Sequence, residues 1–213
     1  GQLRVEDNRF FGIGPDRSSG ELVAIQIVPP FDGATLEGNQ VDRVGDDPQQ
    51  KPEPAIWRAI LIAPTALRNP GNFSTGYLVA APDNAYLLTA NRAFAVARRP
   101  ADLAIQNNRL RAPLSNVPLS LCAGLEHCLF AGNRCETQGA ANDGAQSGDL
   151  QARTLNASNN RLIGQGDHDT LHLHPDPQVK QAIVMGNTST GNIRVINGAP
   201  IPLDMGLTNL IGF

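Results

Sequence analysis

The sequence predicts an all-β protein in which parallel strands coil into a solenoid. Three observations favour this class: a short motif that recurs in one phase, a turn-rich composition, and no stretch with sustained helical spacing of apolar residues. The 213 residues include 21 glycines and 16 prolines, and aromatic residues make up only 5%. This composition is typical of many short strands joined by turns.

The recurring motif reads apolar, any, apolar, two small or polar residues, asparagine, usually arginine, apolar, as in 3–10. The last four of its asparagines are 25, 27 and 27 residues apart. A fixed period in the range of about 20 to 50 residues is typical of solenoids. The motif occurs seven times, centred on Asn8, Asn39, Asn91, Asn108, Asn133, Asn160 and Asn187.

The alternation before each asparagine predicts a strand with one buried face, and the apolar residue two positions after it predicts a second strand. Each asparagine then occupies a bend, where it tolerates a left-handed backbone and can bond neighbouring main-chain groups. In stacked coils these amides would lie about 4.8 Å apart and could form a hydrogen-bonded ladder. The asparagines are therefore predicted to be structural.

The period predicts one three-sided domain over residues 1–213, with about seven to eight coils. Two spacings are irregular: 17 residues separate Asn91 from Asn108, and 52 separate Asn39 from Asn91. The longer spacing predicts a coil without the motif, for which 57–62 is the candidate strand. Polar segments 45–54 and 137–148 predict protruding loops, and 190–213 predicts a C-terminal cap. Because the chain starts Gly-Gln, we expect a processed piece of a longer chain.

The repeats resemble the right-handed parallel β-helix superfamily, the pectate-lyase-like fold. Three segments, 128–136, 157–161 and 184–200, are similar to uncharacterised β-helix proteins associated with phage-tail-like contractile injection systems. The final segment lacks the tryptophan of that family's closing motif, having Pro202-Leu203 and Asn209-Leu210. The resemblance implies a right-handed, single-stranded parallel β-helix, and it implies little about function because one fold carries many functions.

Charge and cysteine content exclude several classes of function. A net charge of −3 argues against a nucleic-acid partner, and no apolar run reaches membrane-spanning length. Cys128 and Cys135 occupy apolar positions of the motif, so we expect small core residues; a disulfide between two of the three cysteines is the alternative. No sequence motif predicts a cofactor.

An arginine usually follows the motif asparagine, and its side chain is predicted to point outwards. Neighbouring charges about 5 Å apart in water repel by about 0.8 kcal/mol, so the row would favour a bound anion such as an acidic polysaccharide. The alternative is a solvated edge that acidic neighbours such as Glu6, Asp42 and Glu136 neutralise. The row comprises Arg9, Arg92, Arg109, Arg134 and Arg161, which Gln40 and Thr188 interrupt.

A second candidate site is the histidine-rich segment 167–176. Leu171 and Leu173 are predicted to face inwards, which places His172 and His174 together on the outer face, within reach of one metal ion. His168, Asp167 or Asp169 could complete the site. The alternative is a set of ordinary surface histidines.

The sequence favours a non-enzymatic structural or binding module, a spacer or receptor-contact part of a secreted or phage-tail-like assembly. Its expected partners are other protein subunits or further copies of the chain, which would cover the sheet edges. The alternative is a β-helix that binds or cleaves polysaccharide. Cleavage requires suitably spaced carboxylates, and the signature motifs of β-helix polygalacturonases and pectate lyases are absent.

Overall fold

The computed structural model describes residues 2–12, 22–27, 31–43, 57–62, 101–112, 117–137, 145–166, 168–175, 181–196 and 210–211. Within these ranges the chain is all-β, without helices, and the strand pairs are parallel. The strands are β1 (Gln2–Glu6), β2 (Arg9–Phe11), β3 (Leu22–Ile27), β4 (Gly33–Glu37), β5 (Gln40–Asp42), β6 (Trp57–Ile62), β7 (Ala101–Gln106), β8 (Arg109–Ala112), β9 (Ser120–Ala131), β10 (Arg134–Thr137), β11 (Gly148–Ser158), β12 (Arg161–Ile163), β13 (Leu171–Pro175), β14 (Gln181–Met185), β15 (Thr188–Ser189), β16 (Ile193–Val195) and β17 (Leu210–Ile211).

The strands form three columns in which each strand pairs with its counterpart in the next repeat. The first column contains β1, β4, β7, the second halves of β9 and β11, and β14. The second contains β2, β5, β8, β10, β12, β15 and β17. The third contains β3, β6, the first halves of β9 and β11, β13 and β16. The described strands thus make six layers, and β17 adds one strand of a seventh.

Six motif asparagines form a continuous hydrogen-bonded ladder between the first and second columns. Each side-chain amide nitrogen donates to the next asparagine's Oδ1 at 2.8–3.1 Å, and the backbone N–H donates to the same oxygen. All but the first are at most 2% exposed. Side-chain amides thus satisfy backbone groups that each bend would leave unpaired. The ladder runs Asn8, Asn39, Asn108, Asn133, Asn160, Asn187.

The residue before each ladder asparagine has a left-handed backbone, with φ between 55° and 66°. Glycine alternates there with asparagine or aspartate, residue types that adopt this conformation at low cost. A Cβ on Gly132 would lie 2.4 Å from Asn107 Oδ1, so each glycine makes room for the side chain of the layer before it. The row is Asp7, Gly38, Asn107, Gly132, Asn159 and Gly186.

The stacking order differs from the sequence prediction at Asn91. Asn39 bonds directly to Asn108, and β4 pairs directly with β7, so the predicted position of Asn91 between these rungs is wrong. Asn91 itself lies outside the described residues. Ala90 precedes it, where the six ladder asparagines follow residues suited to a left-handed bend. The predicted strand 57–62 is present as β6. It is the third-column strand of the layer that contains Asn39, so the prediction that it forms a separate coil between Asn39 and Asn91 is wrong.

The core lies between the three columns, and the cysteines belong to it. All three cysteines are free and at most 2% exposed, which rules out the disulfide alternative. Burial raises the pKa of Cys128 and that of Cys135 to about 12. Burial, and then the neighbouring Cys128, raise the pKa of Cys122 against the opposing charge of Arg58. These thiols are therefore packing residues that resist oxidation.

The described parts of the predicted loops and cap continue the strand layers. Of 137–148, Thr137 ends β10, and 145–147 are buried, with Gln146 N donating to Asp169 O at 2.9 Å. This end of the segment therefore does not protrude. In the predicted cap, β16 pairs with β13 and β17 pairs with β15. The predicted loop 45–54 lies outside the described residues.

Candidate functional site

A groove of about 460 Å³ runs across the outer face of the first column. Alternate residues of these strands face the core, so the outer rows are free to line a surface. One row across the strands reads Gln2, Gly33, Asp102, His127, Thr154 and Gln181, in register from layer to layer. The lining surface of the groove is mostly apolar, and most of the polar side chains in it are uncharged.

Asp102, His127 and Thr154 occupy successive layers in the groove. His127 Nδ1 lies 2.5 Å from Thr154 Oγ1; His127 is exposed and Thr154 is partly buried. On the other edge of β9, the register partner of His127 is Asp102 of β7. A hydroxyl, an imidazole and a carboxylate in one row can exchange hydrogen bonds with a polar ligand.

The predicted arginine row lies in the second column, one residue beyond the ladder. Four arginines of the row are exposed and lie in register across the second column: Arg9, Arg109, Arg134 and Arg161. Gln40 lies between Arg9 and Arg109, and Thr188 follows Arg161. Arg134 pairs with Glu136 at 3.4 Å; among the described acidic residues, none forms a salt bridge with the other three arginines. Arg92 lies outside the described residues. The row can therefore offer guanidinium groups to an anion.

A buried cluster of two histidines and two aspartates lies on the outer face of the third column. His172 and His174 project from β13 beside Asp149 of β11, and both rings are at most 7% exposed. Asp149 Oδ1 lies 3.1 Å from His172 Nδ1 and 3.1 Å from His174 Nε2. His172 Nε2 lies 2.9 Å from Asp169 Oδ2, which also forms a salt bridge with Arg194 Nε at 2.7 Å.

These contacts shift the pKa values of three groups. Burial alone would raise the pKa of Asp149, but close contacts with the two histidines lower it to about 2. Burial alone would also raise the pKa of Asp169, but contacts with His172, Asn192 and Arg194 lower it. Burial disfavours protonation of His172, yet contacts with Asp149 and Asp169 raise its pKa. The cluster therefore stabilises two ionised carboxylates.

The structure corrects the predicted metal ligands in two respects. Within the described residues, the three groups whose ligand atoms lie within 4.8 Å of one another are Asp149, His172 and His174, without His168. The alternative, a set of ordinary surface histidines, is wrong for His172 and His174, because the outer face of β13 is buried. Sequence reasoning missed Asp149 as a partner because it comes from the preceding layer, 25 residues from His174.

No described helix is long and apolar enough to cross a membrane. Comparisons with protein families, curated proteins and solved structures found no match to this chain. The described residues form an all-β protein of stacked parallel strands. The resemblance to the pectate-lyase-like superfamily stays a prediction.

Proposed function

We propose that this chain is a right-handed, single-stranded parallel β-helix that serves as a non-enzymatic structural or binding module. In this proposal it acts as a spacer or receptor-contact part of a secreted or phage-tail-like assembly. Support comes from the regular progression of the chain through the three columns in each of the six described layers. Such a stack holds surfaces at fixed spacing because each layer pairs only with its neighbours.

The observation that favours binding over catalysis is the composition of the groove. Among the described residues, its lining contains a single carboxylate, Asp102, and neither lysine nor arginine. Glycoside hydrolysis generally uses two carboxylates that flank the scissile bond. A groove with one carboxylate and several neutral hydrogen-bonding groups is better suited to holding a ligand than to cleaving it.

Contact with other protein subunits is supported by the apolar side chains of the outer layers. Among the described residues, the exposed large apolar side chains are Leu3, Phe11, Ile183 and Met185. The first two belong to the first layer, and the last two belong to the sixth. Exposed apolar surface of this kind is typical of protein contact sites.

A second candidate function is the binding of acidic polysaccharide, which the exposed arginine row favours. Arginine binds carboxylates through two parallel hydrogen bonds, and the row repeats at the layer spacing. An extended anionic chain could contact Arg109, Arg134 and Arg161 in three consecutive layers.

We expect no cleavage when the chain is incubated with a panel of acidic and neutral polysaccharides. The measurement is the release of new reducing ends, with the heat-unfolded chain as control. Release that Asp102→Asn abolishes would contradict the non-enzymatic proposal, because Asp102 is the one carboxylate in the groove.

The same panel, immobilised as an array, tests the second candidate function. The double variant Arg109→Ser with Arg134→Ser should weaken binding to acidic glycans at least tenfold if the row is the site. Arg153→Ser is the matched control, because Arg153 is an exposed arginine outside the row, paired with Glu126. Equal loss in the double variant and the control would exclude the row.

A further inference from the structure

The buried cluster around Asp149 has the geometry of a metal site as well as that of an ion pair. Parallel pairing of β11 and β13 places Asp149 beside His172 and Gln151 beside His174. Positions two apart on a strand share a face, so all four side chains lie on the outer face of the third column. The imidazole rings stand 83° apart with centroids separated by 5.9 Å.

Several polar atoms of this cluster are buried and have no hydrogen-bond partner within the part of the chain that the structure describes. They include His172 Nδ1, which lies near Asp149 Oδ1 without hydrogen-bond geometry, His174 Nδ1, and both amide atoms of Gln151. Buried polar atoms in proteins nearly always have a partner, and clusters of exceptions indicate a bound water or ion. His172 Nδ1 lies 3.1 Å from Asp149 Oδ1, so this buried, unpaired atom borders the cluster.

We propose that Asp149, His172 and His174 bind one divalent transition-metal ion, with Zn²⁺ as the reference ion. Bonds from zinc to histidine nitrogen and to carboxylate oxygen are each about 2.0–2.2 Å long. Adjacent ligand atoms at that radius lie about 3.0–3.4 Å apart, and both contacts to Asp149 Oδ1 measure 3.1 Å. Two imidazoles and one carboxylate form a donor set that first-row transition metals favour.

Asp169 completes this arrangement as a positioning residue. With His172 Nδ1 on the ion, Nε2–H donates to Asp169 Oδ2 at 2.9 Å, the carboxylate–histidine–metal pattern. Arg194 and Asn192 hold Asp169 in turn, at 2.7 and 3.2 Å. The two carboxylates balance the charge of the ion, which a buried site requires. The unpaired amide oxygen of Gln151 is beside His174 and is the available further oxygen ligand.

This proposal goes beyond the proposed module function and does not depend on it. In the test, the full chain is first treated with a chelator to remove bound metal and is then dialysed against Zn²⁺. Elemental analysis measures the zinc that stays bound. We expect one zinc per chain, at least 100-fold weaker binding in His172→Ala and in His174→Ala, and unchanged binding in His168→Ala. Asp169→Asn should weaken binding 10- to 100-fold, because it orients a ligand without touching the ion.

Cobalt substitution of the unmodified chain provides a readout that does not depend on the folding of any variant. Co²⁺ should give visible absorption bands with one equivalent bound, and Zn²⁺ should displace it. Asp149→Asn, which preserves the shape of the side chain, should abolish the bands. The absence of zinc uptake and of cobalt bands in the unmodified chain would overturn the proposal, as would equal loss of binding in His168→Ala and His174→Ala.

Discussion

Replacing Asn133 by alanine is expected to lower the free energy of unfolding by about 3 kcal/mol. Asn133 is 1% exposed, and its Oδ1 accepts from both the backbone N–H and the side chain of Asn108. Its amide donates to Ile105 O at 2.8 Å and to Asn160 Oδ1 at 3.1 Å. Alanine leaves the buried Asn108 N–H without an acceptor, and each such orphan costs about 1–3 kcal/mol. Urea denaturation measures the change.

The matched control is Asn8→Ala at the exposed end of the ladder. Asn8 donates to Asn39 Oδ1 and Glu6 O, but the described residues provide no donor to its own Oδ1. In this variant, Asn39 Oδ1 still accepts a hydrogen bond from the backbone N–H at position 8. The loss should therefore stay below about 1 kcal/mol. Equal losses at both positions would show that the ladder does not stabilise the interior layers.

Gly191→Ala is expected to destabilise the chain by about 2–3 kcal/mol, the upper part of the range of about 1–3 kcal/mol that is usual for forced overpacking. An added Cβ would meet the backbone oxygen of His168 at less than hydrogen-bond distance, and the His168 carbonyl carbon and Thr170 Cγ2 at 3.2 Å each. Backbone cannot rotate away as a side chain can, so 168–170 must move. Thermal and urea unfolding should both register the loss.

Gly166→Ala serves as the control for the same region. Its added Cβ would lie 3.6 Å from Thr190 O, an ordinary contact, and we expect a change within about 0.5 kcal/mol. Because Thr170 N donates to Asn192 O at 2.8 Å, displacement in Gly191→Ala should also disturb Asp169 and Asn192. Gly191→Ala with the stability of the unmodified chain would show that the close approach to His168 is relieved without cost.

The asparagine spacing predicted the strand phase because bend chemistry is local. Cys128 and Cys135 occupy motif positions that are apolar in the other repeats, so the motif predicts that both face the core. Both are buried there. The residue before the asparagine carried a further signal: a left-handed bend favours aspartate, asparagine or glycine, and Ala90 does not fit. That signal could have separated Asn91 from the ladder.

The cluster of Asp149, His172 and His174 could be predicted only in part, because it combines two layers. Alternation along β13 correctly groups His172 with His174, but it predicts one buried face, and both faces of this strand are buried. Asp149 adjoins them only through the pairing of β11 with β13. Register between these strands depends on the lengths of the bends that separate them, so no local pattern identifies that neighbour.

The direct stacking of the second layer on the third is the central structural claim, and a disulfide tests it. Thr35 and Ala104 are 69 residues apart in sequence but are register partners on β4 and β7. Neighbouring strands are about 4.8 Å apart, within the Cα separation of about 4.4–6.8 Å that disulfides accept. The native thiols are buried and should not compete.

The measurement is the free-thiol count and the mass of the Thr35→Cys, Ala104→Cys double variant after mild oxidation. The layer order predicts one intramolecular disulfide in this variant. It predicts none in Thr35→Cys, Asn156→Cys, whose positions are three layers and about 14 Å apart. Free thiols in the first variant, or a disulfide in the second, would contradict the stacking of these layers.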